Sequence, residues 1–218
     1  VFLGAHSSAG ERLGSVHPHL AGGYRALLPN DAVEDVDVAF LALPHGASAT
    51  IADALVGRGA RVVDLGADHR FDDPLTYQAA YGHPHPFPDG LGEWRYGLPE
   101  LFDLAGTNRI AVPGCYPTAT QLAITPLIAG GLVGEGPIVA NCLSGASGAG
   151  RVLREDLLFG SVAEGVRAYG VTTHRHRPEI EMGIARATGQ TRRVTFTPHL
   201  IPMQRGLLAT VTAPATDG

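Results

Sequence analysis

Two thiols and a pair of closely spaced imidazoles are the groups in this chain best suited to covalent chemistry. Cys115 stands in Ile110-Ala-Val-Pro-Gly-Cys-Tyr-Pro-Thr118, a turn flanked by Pro and Gly between a strand pattern and a helical one. A thiol at the start of a helix meets unpaired backbone N–H groups and the positive end of the helix dipole, which favours thiolate. The same amides could hold the oxyanion of an acyl intermediate. Cys115 is therefore the candidate nucleophile, with a pKa expected below that of a free thiol. Cys142, inside the apolar run Pro137-Ile-Val-Ala-Asn-Cys-Leu143, reads as a buried core residue.

Candidate bases lie in Thr173-His-Arg-His-Arg-Pro-Glu-Ile180. An extended backbone there would turn His174 and His176 to the same side. A helix beginning near Arg177, with Pro178 in its first turn, would bring Glu179 beside His176, where a carboxylate could orient the imidazole. His-x-His also suits zinc, but no third ligand of usable spacing accompanies it, so no metal is expected. A plain surface pair of histidines is the competing reading.

Three further segments could hold a ligand. Ser144-Gly-Ala-Ser-Gly-Ala-Gly-Arg151 follows a strand pattern and spaces its glycines as G-x-x-G-x-G. No acidic residue ends a strand about twenty residues later, so this is a loop of close backbone approach and not the primary dinucleotide fingerprint. Arg70 follows Asp64-Leu-Gly-Ala-Asp-His, just past a strand's carboxyl end, and Arg205 sits in Pro202-Met-Gln-Arg-Gly206. Either guanidinium could grip a phosphate or carboxylate with two prongs.

The elements that must position these groups follow from hydrophobic patterning. Val36–Leu43, ending in Pro44-His45-Gly46, has the profile of a buried parallel strand. A helix over Ala47–Val56 with Ser48 as its cap, then strands at Arg61–Leu65 and Arg109–Val112, imply βαβ units. Residues 82–99 read as a long loop. Farther on, helices are expected at Pro117–Ala129 and Pro178–Ala187 and a strand at Pro137–Leu143. Val194–Ile201 and Leu207–Ala213 are expected to form an antiparallel pair. The fold class is α/β: a parallel-sheet domain over residues 1–114, then an α+β domain with a mixed or antiparallel sheet over 115–218.

Composition narrows the chemistry. In 218 residues there are 16 Lys and Arg, all of them Arg, and the net charge is −5. Without lysine, Schiff-base aldolase, pyridoxal and P-loop chemistry have no amine to use. An acidic balance argues against nucleic-acid and membrane-surface partners. Two cysteines make no disulfide framework, so a reducing cytoplasm is expected. The chain opens on Val1 without Met and ends soon after an apolar run, and is expected to be the middle of a longer protein.

Seven motifs, in order along the chain, resemble the N-acetyl-gamma-glutamyl-phosphate reductase family, relatives of aspartate-semialdehyde dehydrogenase. They are Ala42-Leu-Pro-His-Gly46, Asp64-Leu-Gly-Ala-Asp-His-Arg70, Tyr96-Gly-Leu-Pro-Glu100, Val112-Pro-Gly-Cys-Tyr-Pro-Thr118, Ser144–Arg151, His174-Arg-His-Arg-Pro-Glu179 and Pro198–Gly206. The resemblance implies an incomplete Rossmann-type NADP domain followed by a catalytic domain, and NADPH-dependent reduction of an acyl phosphate through a Cys115 thioester. It implies His176 as acid/base with Glu179 behind it and His174 near the substrate. It also implies Ser7 and Ser8 at the adenosine 2′-phosphate, and Pro44, His45, Ser147 and Gly148 along the cofactor cleft. Arg70 corresponds to a phosphate-binding arginine of the related dehydrogenase. The family's glycine-rich phosphate loop lies before the strand that ends at Val1, so these residues alone are expected to bind NADP poorly. A homo-oligomer is expected. The alternatives are an aspartate-semialdehyde dehydrogenase, a Cys-His hydrolase or acyltransferase that ignores nucleotide, and a non-catalytic binding fragment.

Overall fold

Short runs of β-branched and apolar residues, each followed by a helix-length segment, can satisfy their backbone only by lining up in parallel. In the computed structural model, which describes residues 4–5, 9–16, 18, 28–29, 35–150 and 153–216, they do so. Strand β1 (Gly4–Ala5) pairs in parallel with β2 (Leu28–Pro29), flanking a short helix α1 (Leu13–Val16). A four-stranded parallel sheet follows, built from β3 (Val38–Leu41), β4 (Arg61–Asp64), β5 (Arg95–Tyr96) and β6 (Arg109–Ala111) in the order β3-β4-β6-β5. Helices α2 (Ser48–Gly57) and α3 (Pro74–Tyr81) connect its strands. Leu41, Ala52, Leu55, Ala60, Val62, Trp94 and Ala111 form the core between α2 and this sheet.

The loop expected over 82–99 is partly ordered into regular structure. It holds a 3₁₀ turn at Pro88–Glu93 and then β5, which adds to the outer edge of β6. A two-residue strand leaves no period to read, so its pattern was invisible among the Gly and Pro of that stretch.

Helix α4 (Cys115–Ala129) leads into the second sheet, built from β7 (Ile138–Ser144), β8 (Arg167–Ala168), β9 (Val194–Leu200) and β10 (Leu207–Thr212). A short α5 (Phe159–Val162) and the longer α6 (His176–Thr188) lie between β7 and β9. The sheet order is β10-β7-β9-β8, with β7 and β9 parallel and the outer pairings antiparallel. The antiparallel pair expected of β9 and β10 therefore does not form, because β7 lies between them. The reason is the connection at 201–206, which is pinned past the end of β7. Gly145 N–H donates to Gly206 O at 3.0 Å, Ala146 N–H to Met203 O at 2.9 Å and Ser147 N–H to Gln204 O at 3.0 Å. The chain is thereby delivered to the far side of β7.

Helices α4 and α6 cover one face of this sheet. Tyr116, Ile124 and Ile128 of α4 and Ile180 and Ile184 of α6 meet Ile138, Ala140, Cys142, Val194 and Phe196. Cys142 is fully buried, as its apolar context implies. The two helices approach closely at Gly183, where an added Cβ would run into the amide of Gln121. Alanine in a helix gains about 1 kcal/mol over glycine by propensity, whereas overpacking costs about 1–3 kcal/mol. Gly183→Ala should therefore lower stability despite the better helix former. A urea titration would read this as a lower midpoint with an unchanged slope.

Candidate functional site

The turn at Val112–Gly114 leaves the carboxyl end of β6, where parallel sheets present ligands. It enters α4 with Gly114 as N-cap residue and Cys115 as the first helical residue. Gly114 supplies no capping side chain. Its own N–H donates instead to Glu179 Oε1 at 2.8 Å. Pro117 has no N–H and the Thr118 N–H already bonds Gly114 O at 2.9 Å. The N–H groups of Cys115 and Tyr116 are left at the helix start, and their dipoles favour negative charge on the Cys115 sulfur.

These amides and nearby Arg70 pull the thiol pKa down, but burial outweighs them and pushes it above its ordinary value. The lowered pKa expected from the helix start is thus reversed. Cys115 is exposed at the rim of its cavity, yet its flanks are protein, and desolvation opposes thiolate there.

Glu179 does not bond His176, contrary to the role suggested by spacing. It is fully buried and anchors what surrounds it. Oε1 also accepts from the Tyr96 hydroxyl at 2.9 Å, and Oε2 accepts from Arg70 Nη1 at 3.3 Å. Arg70 is itself buried and gives Nε to Val112 O at 2.9 Å and Nη2 to Leu65 O at 3.1 Å. Burial opposes its charge, but Glu179 outweighs burial and the net pKa is raised. Neither residue is open to substrate as the sequence reading expected. They lie beneath the turn and hold it.

His176 opens α6, two residues earlier than the pattern indicated, and its ring packs against the same turn. A Cβ on Gly114 would come within 2.6 Å of His176 Nε2 and 3.0 Å of Arg70 Nη1, so only glycine admits this approach. The His176 N–H donates to His174 Nδ1 at 3.1 Å. His174 therefore accepts at Nδ1 and, when neutral, carries its hydrogen on Nε2. Burial, followed by the charge of Arg175, lowers His174 to about 4. Burial, then His174 and Arg70, lowers His176 to about 2, and its buried Nδ1 has no hydrogen-bond partner among the described residues. Both rings are uncharged near neutral pH.

Cys115, His174, His176 and Gly148 line one cavity of about 270 Å³. Its remaining wall holds groups that the sequence reading missed: Tyr116, Tyr169, Arg154, Asp156, Arg167 and Arg175. Asp156 receives Arg154 through Nε at 2.9 Å and Nη2 at 2.7 Å, and Arg167 Nη2 at 2.9 Å. Arg154 and Arg167 lie 13 positions apart in a polar stretch with no period, and only the fold brings them together. Tyr169 had a legible neighbour in the His-rich segment but no motif of its own.

The other expected residues are distributed around this cavity. Pro44 and His45 are exposed on the turn after β3, with the His45 ring 5.1 Å from Tyr81. Ser48 does not cap α2; its hydroxyl turns inward to Asp64 and Asp68, at 3.1 and 2.9 Å. The cap is Asp68, which accepts the N–H groups of Gly46, Ser48 and Ala49 at 2.7, 3.1 and 3.2 Å. Ser147 is exposed beside Gly148, and Arg205 is exposed in the 201–206 connection, not among the cavity-lining residues. Ser7 and Ser8 lie outside the described residues.

A nicotinamide ring beside Cys115 would need a wall of backbone, and the loop after β7 provides one. A Cβ on Gly145 would meet Met203 O at 2.7 Å, and one on Gly148 would come 3.2 Å from Ser144 Oγ. The loop is closely packed from behind and gives Gly145, Gly148 and Ala149 to the cavity lining, so the residues present fit the reactive end of such a cofactor.

The parallel sheet, the mixed sheet and the thiol on the helix start between them fall within segments matched by models of the semialdehyde dehydrogenase family, and the chain belongs to that family. Its NAD-binding domain model matches residues 1–107 and its dimerisation domain model matches residues 115–218. In sequence the chain stands with the N-acetyl-gamma-glutamyl-phosphate reductases. It is 48% identical to one from Arthrobacter sp. (strain FB24), over 98% of this chain and 63% of that protein. It is 45% identical to one from Rhodospirillum rubrum, over 99% of this chain and 64% of that protein. The chain thus spans just under two thirds of the length of the curated relatives it matches. In fold it is similar to aspartate semialdehyde dehydrogenase II from Vibrio cholerae complexed with ASA. That match has a TM-score of 0.66 and 14% identity, over 98% of this chain and 65% of that one. The Candida albicans aspartate semialdehyde dehydrogenase with NADP gives a TM-score of 0.60 and 13% identity, over 97% and 63%.

Two outcomes follow from this electrostatic arrangement. Iodoacetamide should modify Cys115 with a pH midpoint at or above the ~8.5 of a free thiol, Cys142 serving as the buried control. A lower midpoint would show that the helix amides dominate. Because His174 and His176 titrate near 6.5 when unfolded but far lower when folded, the unfolded chain binds more protons below that pH. Stability should therefore fall as pH drops from about 6.5 towards 4. In urea midpoints taken across that range, His174→Asn should flatten the slope.

Proposed function

We propose that the protein carrying this chain reduces N-acetyl-gamma-glutamyl phosphate to N-acetylglutamate semialdehyde and phosphate, with NADPH as reductant, in arginine biosynthesis. The observation that carries this reading is the Cys115 thiol at the start of α4. It faces a cavity whose walls include neutral imidazoles and guanidinium groups. The names of the curated relatives support the substrate. The domain boundary at 114/115 belongs to the same proposal, as do a small-molecule substrate, assembly with further copies and a reducing cytoplasm. Both cysteines are free, and no helix among the described residues is long and apolar enough to cross a membrane.

The chain's own residues divide the work. His174 accepts at Nδ1 and carries its hydrogen on Nε2, which leaves His176 as the acid/base; the anionic phosphate of bound substrate raises its low proton affinity so that it can take the Cys115 proton. The resting thiol becomes a nucleophile only as that proton leaves, which limits side reactions of an idle site. The thiolate attacks the acyl carbon, phosphate departs and the acyl group stays on sulfur as a thioester. The N–H groups of Cys115 and Tyr116 are placed to steady the oxyanion. NADPH would supply the hydride when bound; Ser147, Gly148, Pro44 and His45 would hold it, and Ser7 and Ser8 would be its 2′-phosphate residues. His176 then returns its proton as the aldehyde leaves Cys115. Arg154, Arg167 and Arg175 take the anionic ends of the substrate.

The assay is phosphate-dependent reduction of NADP by N-acetylglutamate semialdehyde, followed in the full-length protein. Cys115→Ser should reduce kcat by at least ~10³-fold while leaving NADP affinity nearly unchanged. Substantial residual turnover would remove the thioester from the mechanism. A preference for aspartate semialdehyde would reassign the substrate.

A further inference from the structure

The cavity wall contains a pair of phenols that the chemistry above leaves unused. Tyr116 and Tyr169 lie hydroxyl to hydroxyl at 2.7 Å, and both line the cavity beside Cys115. A phenol has one hydrogen, so the shared bond uses one of the two available. Whichever residue donates, the other keeps a hydrogen that the pair does not use. Tyr116 is almost wholly buried, whereas Tyr169 is 36% exposed and presents the accessible end. Both are held in place. Tyr116 packs edge-on against Phe196 and His174, at 5.2 and 5.8 Å between centroids, and Tyr169 against His174 at 5.6 Å. The Tyr169 N–H is tied to Pro198 O at 3.0 Å. Burial raises both hydroxyls above their ordinary pKa, so the pair stays neutral throughout the working range.

The charges around the pair are one-sided. Arg154, Arg167 and Arg175 line the cavity, and Asp156, the one acid among its described lining residues, is already bonded by two of them. Among the described lining residues no carboxylate remains to neutralise an ammonium. A substrate with a free α-amine would bring a positive charge into a positive cavity. One whose nitrogen is acylated brings a neutral amide that can bond a phenol.

We propose that Tyr169, held by Tyr116, is the specificity contact for the neutral acylamino group of the substrate. The arginine-lined wall supplies the repulsion against free amino acids. This deepens the function proposed above and rests on it.

The test compares N-acetylglutamate semialdehyde with glutarate semialdehyde, the same aldehyde acid without the acetamido group, in the phosphate-dependent assay on the full-length protein. Tyr169→Phe keeps the ring and removes the hydroxyl. It should lower the ratio of the two kcat/KM values by about 5- to 10-fold, the scale of one neutral hydrogen bond. An unchanged ratio overturns the proposal, whether both rates fall together, as for a role at the reacting carbon, or neither falls. If the unsubstituted protein does not turn over the acetylated aldehyde, the proposed function fails and takes this contact with it. Turnover with an unchanged ratio removes the contact alone.

Discussion

The site depends on one fully buried carboxyl group. Glu179, in the first turn of α6, receives the Gly114 N–H, the Tyr96 hydroxyl and the Arg70 guanidinium. Those three donors come from the nucleophile's turn, the edge of the parallel sheet and the loop after β4. A single anion thus joins both sheets at the point where Cys115 emerges. An isolated buried charge is costly, and so is each buried partner left without it. The arrangement is therefore close to all-or-none: removing one member strands the others, and the turn loses its reason to hold Gly114 under His176. Gln121 reinforces it from α4, giving its amide to the Glu179 carbonyl at 2.9 Å and to the Tyr96 hydroxyl at 3.3 Å.

Much of this organisation was legible in the chain, and what was not has physical causes. Strands β3, β4, β6 and β7 and helices α4 and α6 carry long enough patterns to be read within a residue or two. The two-residue β5 has no period, and the separation of β9 from β10 depends on where a six-residue connection is pinned. The position of Cys115 was readable from its Pro-Gly flanks. The sign of its pKa shift was not, because desolvation depends on neighbours distant in sequence. For Glu179 and Arg70 the chemistry was recognised but the burial was not. A carboxyl and a guanidinium near a candidate nucleophile look the same in sequence whether they face substrate or support the loop beneath it.

The cavity wall illustrates the same limit from the other side. Arg154, Asp156 and Arg167 meet only because β8 pairs with β9 and returns Arg167 to the rim. No local pattern announces such a cluster. Its effect is nevertheless large for the chemistry, since it gives the cavity beside the thiol a sign opposite to that of the chain as a whole. A net charge of −5 says nothing about the field inside such a pocket.

The distance along the chain between Gly114 and its anchor has a consequence for biogenesis. The two are 65 residues apart, and the strands that complete the sheet behind them come later still. At about 5–20 residues per second of synthesis, roughly 3–13 s separate the appearance of the thiol from that of Glu179. Over that interval the nascent segment carries its cysteine without the imidazole or the carboxyl group that define its later surroundings. Translation order thus withholds the reactive centre until Glu179 and the strands after it have been made, and a ribosome stalled in between would display only an ordinary thiol.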